Sequence, residues 1–120
     1  MRYMFLIYNR ELETVDASTD AATAVARHWA VMDEAKQKGV FCGAEPLHPT
    51  ATATTVRAGG TKPLIIDGPF AETKEQLAGY YILECKDLDE AIGWAAKIPT
   101  ECGGGEGCIE IRPIADMPPR

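Results

Sequence analysis

Acid–base chemistry needs a group that exchanges a proton near neutral pH and is held on a rigid support. Two residues of this chain meet that description in different ways. Asp67 follows Pro63-Leu64-Ile65-Ile66, a short, apolar, partly β-branched run that reads as a strand, and precedes Gly68-Pro69, which ends it. Glycine takes backbone angles that other residues avoid, and proline brings no N–H to a ladder. The carboxylate is therefore fixed at a strand end, a suitable place for a functional group. An aspartate before Gly-Pro is equally a plain turn former. His28 lies among Val25, Trp29, Met32 and Ala35, which share helical spacing and form one apolar stripe. A histidine on that stripe faces a sheet and not water. It is either a core residue satisfied by a neighbour or a proton-transfer group.

Other chemistry has less support. His48, between Leu47 and Pro49, reads as an exposed loop residue. Tyr80 and Tyr81 are candidates for lining a pocket, and adjacent strand residues point oppositely, so at most one does so directly. Phe70 would plug the pocket. Lys74, in the solvated turn or short helix around Glu72 and Glu75, would meet an anionic ligand. The four cysteines, Cys42, Cys85, Cys102 and Cys108, make no C-x-x-C pair, and no histidine stands at a metal-ligand spacing from them. No metal and no cofactor is expected. Cys42 and Cys85 fall in strand-like segments as small apolar residues. Cys102 and Cys108 flank a glycine loop and could pair, but all four are read as reduced thiols. Gly103-Gly104-Gly105 precedes a strand, so it lacks the helix N-terminus of a phosphate cradle. No order of Ser, His and Asp or of Cys and His supports a covalent nucleophile.

The elements that would position these residues follow from pattern. Residues 2–8 form a strand that is apolar on both faces and so sits centrally. Residues 9–17 read as a loop. Ser18 caps a helix over about 19–38, which Gly39 ends. Strands follow at 40–43 and 52–57; the latter pairs with 63–66 across Gly59-Gly60. Another strand runs over 79–85. Asp87 caps a second helix whose stripe is Leu88, Ala91, Ile92, Ala95 and Ile98, and which Pro99 ends. Trp29 and Trp94 belong to helix faces as packing residues. The last strand, 108–112, turns Ile109 and Ile111 to the core.

The order is β, α, β, an inserted β-hairpin, β, α, β. Without the hairpin this is the split βαβ arrangement of an α+β, ferredoxin-like fold. Two helices cover one sheet face, and the other face needs a cover that a second chain would supply, giving a homodimer. The 120 residues fit a single domain. A net charge of −6 disfavours phosphate backbones, so no nucleic acid is expected. No apolar run approaches the ~18–20 residues of a bilayer span, and the N-terminus lacks a signal-peptide pattern, so a cytoplasmic location is expected.

These residues also carry a resemblance. Asp67-Gly68-Pro69-Phe70-Ala71-Glu72-Thr73-Lys74-Glu75-Gln76 through Tyr81, then Asp87-Leu88-Asp89-Glu90-Ala91, Trp94-Ala95-Ala96, Ile98-Pro99 and Ile109-Glu110-Ile111-Arg112-Pro113, closely resemble the DGPF-motif branch of the YCII-related family. Tyr3-Met4-Phe5-Leu6-Ile7-Tyr8 and Thr52-Ala53-Thr54-Thr55-Val56-Arg57 do too. The resemblance implies a dimeric α+β barrel. It also implies an active-site pocket holding a histidine and an aspartate, which here fall on His28 and Asp67. The loop from Glu101 to Gly107 is richer in glycine than the family pattern. Most members have no established reaction. Some relatives resemble small lyases, isomerases or dehalogenating enzymes acting on ring compounds, and many accompany extracytoplasmic-function sigma factors. A carboxylate beside His28 would raise its basicity. Two functions are expected of such a pocket: cofactor-independent acid–base catalysis on a small, aromatic molecule, or ligand binding in a regulatory module without turnover.

Overall fold

Alternation governs the first strand. Tyr3, Phe5, Ile7 and Asn9 are buried while Met4, Leu6 and Tyr8 are half-buried, so β1 (Arg2–Glu11) offers a lined face to each side of its sheet. The computed structural model describes residues 1–11, 20–101 and 104–120. After β1 come α1 (Asp20–Gln37), β2 (Phe41–Pro46), a 3-10 turn (Thr50–Thr52), β3 (Thr54–Arg57), β4 (Leu64–Asp67), β5 (Gln76–Glu84), α2 (Leu88–Ala95) and β6 (Gly104–Pro113).

The main sheet has the order β2-β5-β1-β6, antiparallel throughout, with β1 in the interior as its two apolar faces require. This is the split βαβ pattern, an α+β fold consistent with the ferredoxin-like class. Phe5 pairs with Tyr81 on one side and Ile111 on the other, which places all three on the helix-covered face. Phe5 and Tyr81 join Val31 and Ala35 of α1, Ala91 and Trp94 of α2, and Ile98 in one buried cluster, with Ile109 and Ile111 packed at its edge.

Local chemistry sets the element ends. The Asp87 carboxylate accepts from the Glu90 N–H at 2.9 Å and caps α2, with Asp89 and Glu90 in the first turn favoured by the helix dipole. Past α1, Gly39 N–H donates to the Lys36 carbonyl and Val40 N–H to the Ala35 carbonyl, a paired closure of the helix end. Gly68, at φ 100°, takes a conformation that other residues rarely adopt, and its N–H donates to the Ala53 carbonyl at 2.7 Å. Asp67 therefore sits at the end of β4, against a sharp turn, as its sequence context requires.

Several expectations need correction. The buried line of α1 is Ala24, Val31 and Ala35 with His28 half-buried, whereas Val25 and Trp29 are exposed. Alanines recur all round this helix and blur its apolar face, and the small ones permit the closest approach to the sheet. On α2, Leu88 and Ile92 are exposed, and Trp94 takes the inward place with Ala91. The strand expected from Thr52 begins at Thr54, because the Thr52 hydroxyl and N–H both donate to the Pro49 carbonyl and hold a 3-10 turn. Asn9 to Glu11 extend β1 instead of starting a loop. Ser18, the residues around it, Cys102 and Gly103 lie outside the described residues. Cys42, Cys85 and Cys108 are free thiols, and burial pushes Cys85 up to about 11.

The β3–β4 hairpin forms its own two-stranded sheet. All its strand residues except Thr55 are exposed, Val56, Leu64, Ile65 and Ile66 among them. The radius of gyration, 16.4 Å, exceeds the about 13.6 Å of a compact chain of this length.

A close approach tests the β1–β6 register. A Cβ on Gly107 would lie 2.0 Å from the Tyr8 carbonyl oxygen and 3.0 Å from Asn9 Cα, backbone atoms that cannot rotate away. Gly107→Ala should lower the unfolding free energy by at least about 2 kcal/mol. Gly43→Ala, with open space at its Cβ, should cost little. Denaturant titrations showing equal losses would refute the register.

Candidate functional site

Tyr81 decides the local chemistry. It is the inward residue of β5 between Gly79 and Leu83, 3% exposed, and a buried hydroxyl must find a partner. His28, two turns into the described part of α1, supplies it: the Tyr81 hydroxyl lies 2.7 Å from His28 Nδ1, with the rings 5.8 Å apart. The same hydroxyl is 3.4 Å from the His28 carbonyl oxygen, too long to compete well. The short contact fixes the ring and occupies Nδ1, which leaves Nε2 for other chemistry.

His28 opens onto a groove of about 730 Å³ between α1, β2, β5 and the 46–50 segment. Its walls are mostly apolar. Val25, Trp29 and Met32 come from α1, Phe41 and Ala44 from β2, and Leu47 from the segment that follows. Polar groups sit at intervals: Asn9 and Glu11 from β1, Lys36 from α1, and His48. A concave, apolar lining with a few converging polar groups is the usual form of a small-molecule site.

Two tethers shape the groove. Glu11 accepts from the Thr50 N–H and from its hydroxyl, both at 2.7 Å, and so ties the segment carrying His48 to the central strand. Asn9, buried in phase with Tyr3, Phe5 and Ile7, donates from Nδ2 to the Thr100 carbonyl at 3.0 Å and holds the chain after α2 against β1. An exposed Arg27–Glu101 ion pair lies nearby. Burial would raise the Glu101 carboxyl, but backbone N–H groups and Arg27 hold it below the ordinary range.

Burial pushes the His28 imidazole below its ordinary pKa. The Glu101 charge opposes this and Arg27 adds to it. This corrects the expectation of a more basic histidine: its partner is a tyrosine, and desolvation dominates. At neutral pH the ring is uncharged.

The other expected site residues fall in two groups. Tyr80 and Tyr81 both border the groove, although they stand on alternate faces of β5. Asp67, Phe70 and Lys74 are exposed on the hairpin and the turn after it, and do not border the groove. Asp67 is not among the charges acting on His28. His48 is exposed, as expected, yet lines the groove. Asn9, Glu11, Lys36 and Trp29 were not foreseen as site residues. Asn9 was detectable in principle as a polar residue in the inward phase of β1. Among the described residues no helix is long and apolar enough to cross a membrane.

The shift of His28 has a measurable consequence. The unfolded chain takes up a proton near pH 6.5, before folded His28 does, so stability is present above that pH and is lost as pH falls through the lowered folded value. Urea unfolding compared at pH 7.5 and 5.5 should show a smaller loss in His28→Gln than in the wild type. An unchanged loss would place the pH dependence elsewhere.

The model of the YCII-related domain matches residues 1–118. An uncharacterised protein of Rhizobium meliloti (strain 1021) is 37% identical over 116 residues, covering 96% of this chain and 93% of its own length. With nearly the whole chain matched on both counts, this protein belongs to the YCII-related family.

Proposed function

We propose that the groove is an acid–base site for a small molecule and that His28 is its proton-accepting group. One observation carries the reading: an imidazole kept neutral by burial is locked through Nδ1 to a buried tyrosine hydroxyl at the wall of an open groove. In the tautomer with the proton on Nδ1, Nδ1–H donates to Tyr81 and Nε2 is a free base for a proton on a ligand carbon or oxygen. In the other tautomer Nε2–H donates to a ligand oxygen and steadies negative charge there. No cofactor is required for either step. Reactions of this class include isomerisation and elimination from small ring compounds.

The same reading includes a homodimer. Met4, Leu6, Tyr8, Tyr80 and Ile82 are half-buried on the sheet face away from the helices, and the apolar hairpin is bare on both sides. A second copy would cover both, and would allow Asp67, Phe70 and Lys74 to act at a partner's groove. A second reading, ligand binding without turnover in a regulatory role, is favoured by one fact: among the described residues the hydrogen-bond partner of His28 is a tyrosine and not a carboxylate.

Two experiments test this. Proton–deuterium exchange of small ketones and lactones in D2O should be accelerated at least about 100-fold for some member of the set, and His28→Gln should abolish that acceleration. If compounds bind but none exchanges, the binding-module reading leads. In sedimentation, the wild type should run as a dimer, and Leu6→Glu, which places a charge on the open sheet face, as a folded monomer. A monomeric wild type would remove the dimer and any role for Asp67 at His28.

A further inference from the structure

Resting on the reading of the groove as a small-molecule site, we propose that its ligand is a small organic anion with an apolar body one or two rings long, and that Lys36 selects its acidic group. His28, Met32 and Lys36 stand at successive i,i+4 positions of α1 and all border the groove. Their span along the helix is about 12 Å. The Lys36 ammonium leans over two groove aromatics, 5.1 Å from the Phe41 ring centre and 6.0 Å from that of Trp29, as a helical side chain tilted toward the N-terminus does. The axial rise from His28 to Lys36, roughly two helical turns, sets the scale of the gap a ligand would bridge. Met32 lies between them, and Trp29, 55% exposed, is an unfilled wall.

The charge on Lys36 is also unspent. Lys38 and Lys97 both pair with Glu34, and Arg27 pairs with Glu101, whereas Lys36 makes no ion pair among the described residues. Of the two carboxylates that border the groove, Glu11 is taken up by Thr50, and Glu45 stands exposed on β2 without reaching Lys36. In a chain of net charge −6, a cation without an ion pair among the described residues, set over an apolar groove, favours an anion. A lysine is a compact charge on a flexible stem, so carboxylate, sulfonate and phosphate heads are all compatible.

The chain has two histidines, and both line this groove, so their imidazole signals report binding there specifically. Proton NMR titrations with naphthoate and with its uncharged isostere naphthamide should shift both signals, naphthoate binding about tenfold more tightly. Lys36→Met should abolish that preference and leave naphthamide binding unchanged. Equal binding of the two probes to the wild type, or a preference that survives Lys36→Met, overturns the selection by Lys36 while the groove reading stands. If neither probe moves either signal, the groove reading falls and this inference with it.

Discussion

A tyrosine hydroxyl buried at the middle of a sheet cannot be left without a partner, and much of this structure follows from that requirement. Tyr81 is in the inward phase of β5, opposite Phe5 and beside Ala44, where apolar neighbours offer its oxygen nothing. Among the described residues His28 of α1 answers it, with α1 turning the line Ala24, His28, Val31 and Ala35 to the sheet. That rotation removes Val25 and Trp29 from the core. They become the overhanging wall of a groove, with Phe41 and Leu47 across from them. One hydrogen bond thus links the burial of a polar atom, the roll of a helix and the existence of a site. Among the described residues no buried side-chain polar atom is left without a partner, so the arrangement meets its polar requirements in full.

The exposed hairpin obeys a different constraint. A lone two-stranded hairpin is marginal in water, and this one carries Leu64, Ile65 and Ile66 in succession, apolar on both faces. A strand with one wet face alternates; a strand apolar on both faces is built to be covered on both. Phe70, 77% exposed just beyond the turn at Gly68, extends the same surface. The proposed second copy would cover two surfaces at once, the open face of the main sheet and the hairpin. It would also give Asp67 a place in the chemistry, since in this chain Asp67 pairs through its backbone with Thr54 in the β3–β4 ladder and does not border the groove.

The fold was largely legible in the sequence because its signals are local. A run apolar on both faces marked β1 and alternation marked β6; Asp87 marked the start of α2, Gly39 the end of α1, and Gly68-Pro69 the end of β4. His28 was also legible as an inward-facing residue. What stayed hidden was non-local or degenerate. Six alanines among the 18 residues of α1 left its roll ambiguous by one residue, and that one residue decides whether Trp29 is core or groove. The partner of His28 could not be found by spacing, because Tyr81 meets it across 53 residues of chain. The expected carboxylate partner would have raised the imidazole, whereas the tyrosine and the burial that comes with it leave the opposite shift. Glu11 and Asn9 belong to a strand end that reads as loop because its residues are polar, and only the tethers to Thr50 and Thr100 reveal why they are there.

A neutral base and a fixed cation divide the work of a site in a useful way. If His28 were charged at neutral pH it could attract an anion but could not take its proton. If Lys36 were absent, an apolar groove in an acidic chain would hold such a ligand poorly. Burial settles the first point by desolvating the imidazole. Exposure settles the second, since Lys36 keeps its ammonium at the groove mouth over Trp29 and Phe41, where water still reaches it and its charge costs little. The two groups stand two turns apart on one helix, with one below the rim and the other on it. In the proposed site the depth of each residue, set by the roll of α1 onto Tyr81, would determine which of them holds a charge and which can accept a proton.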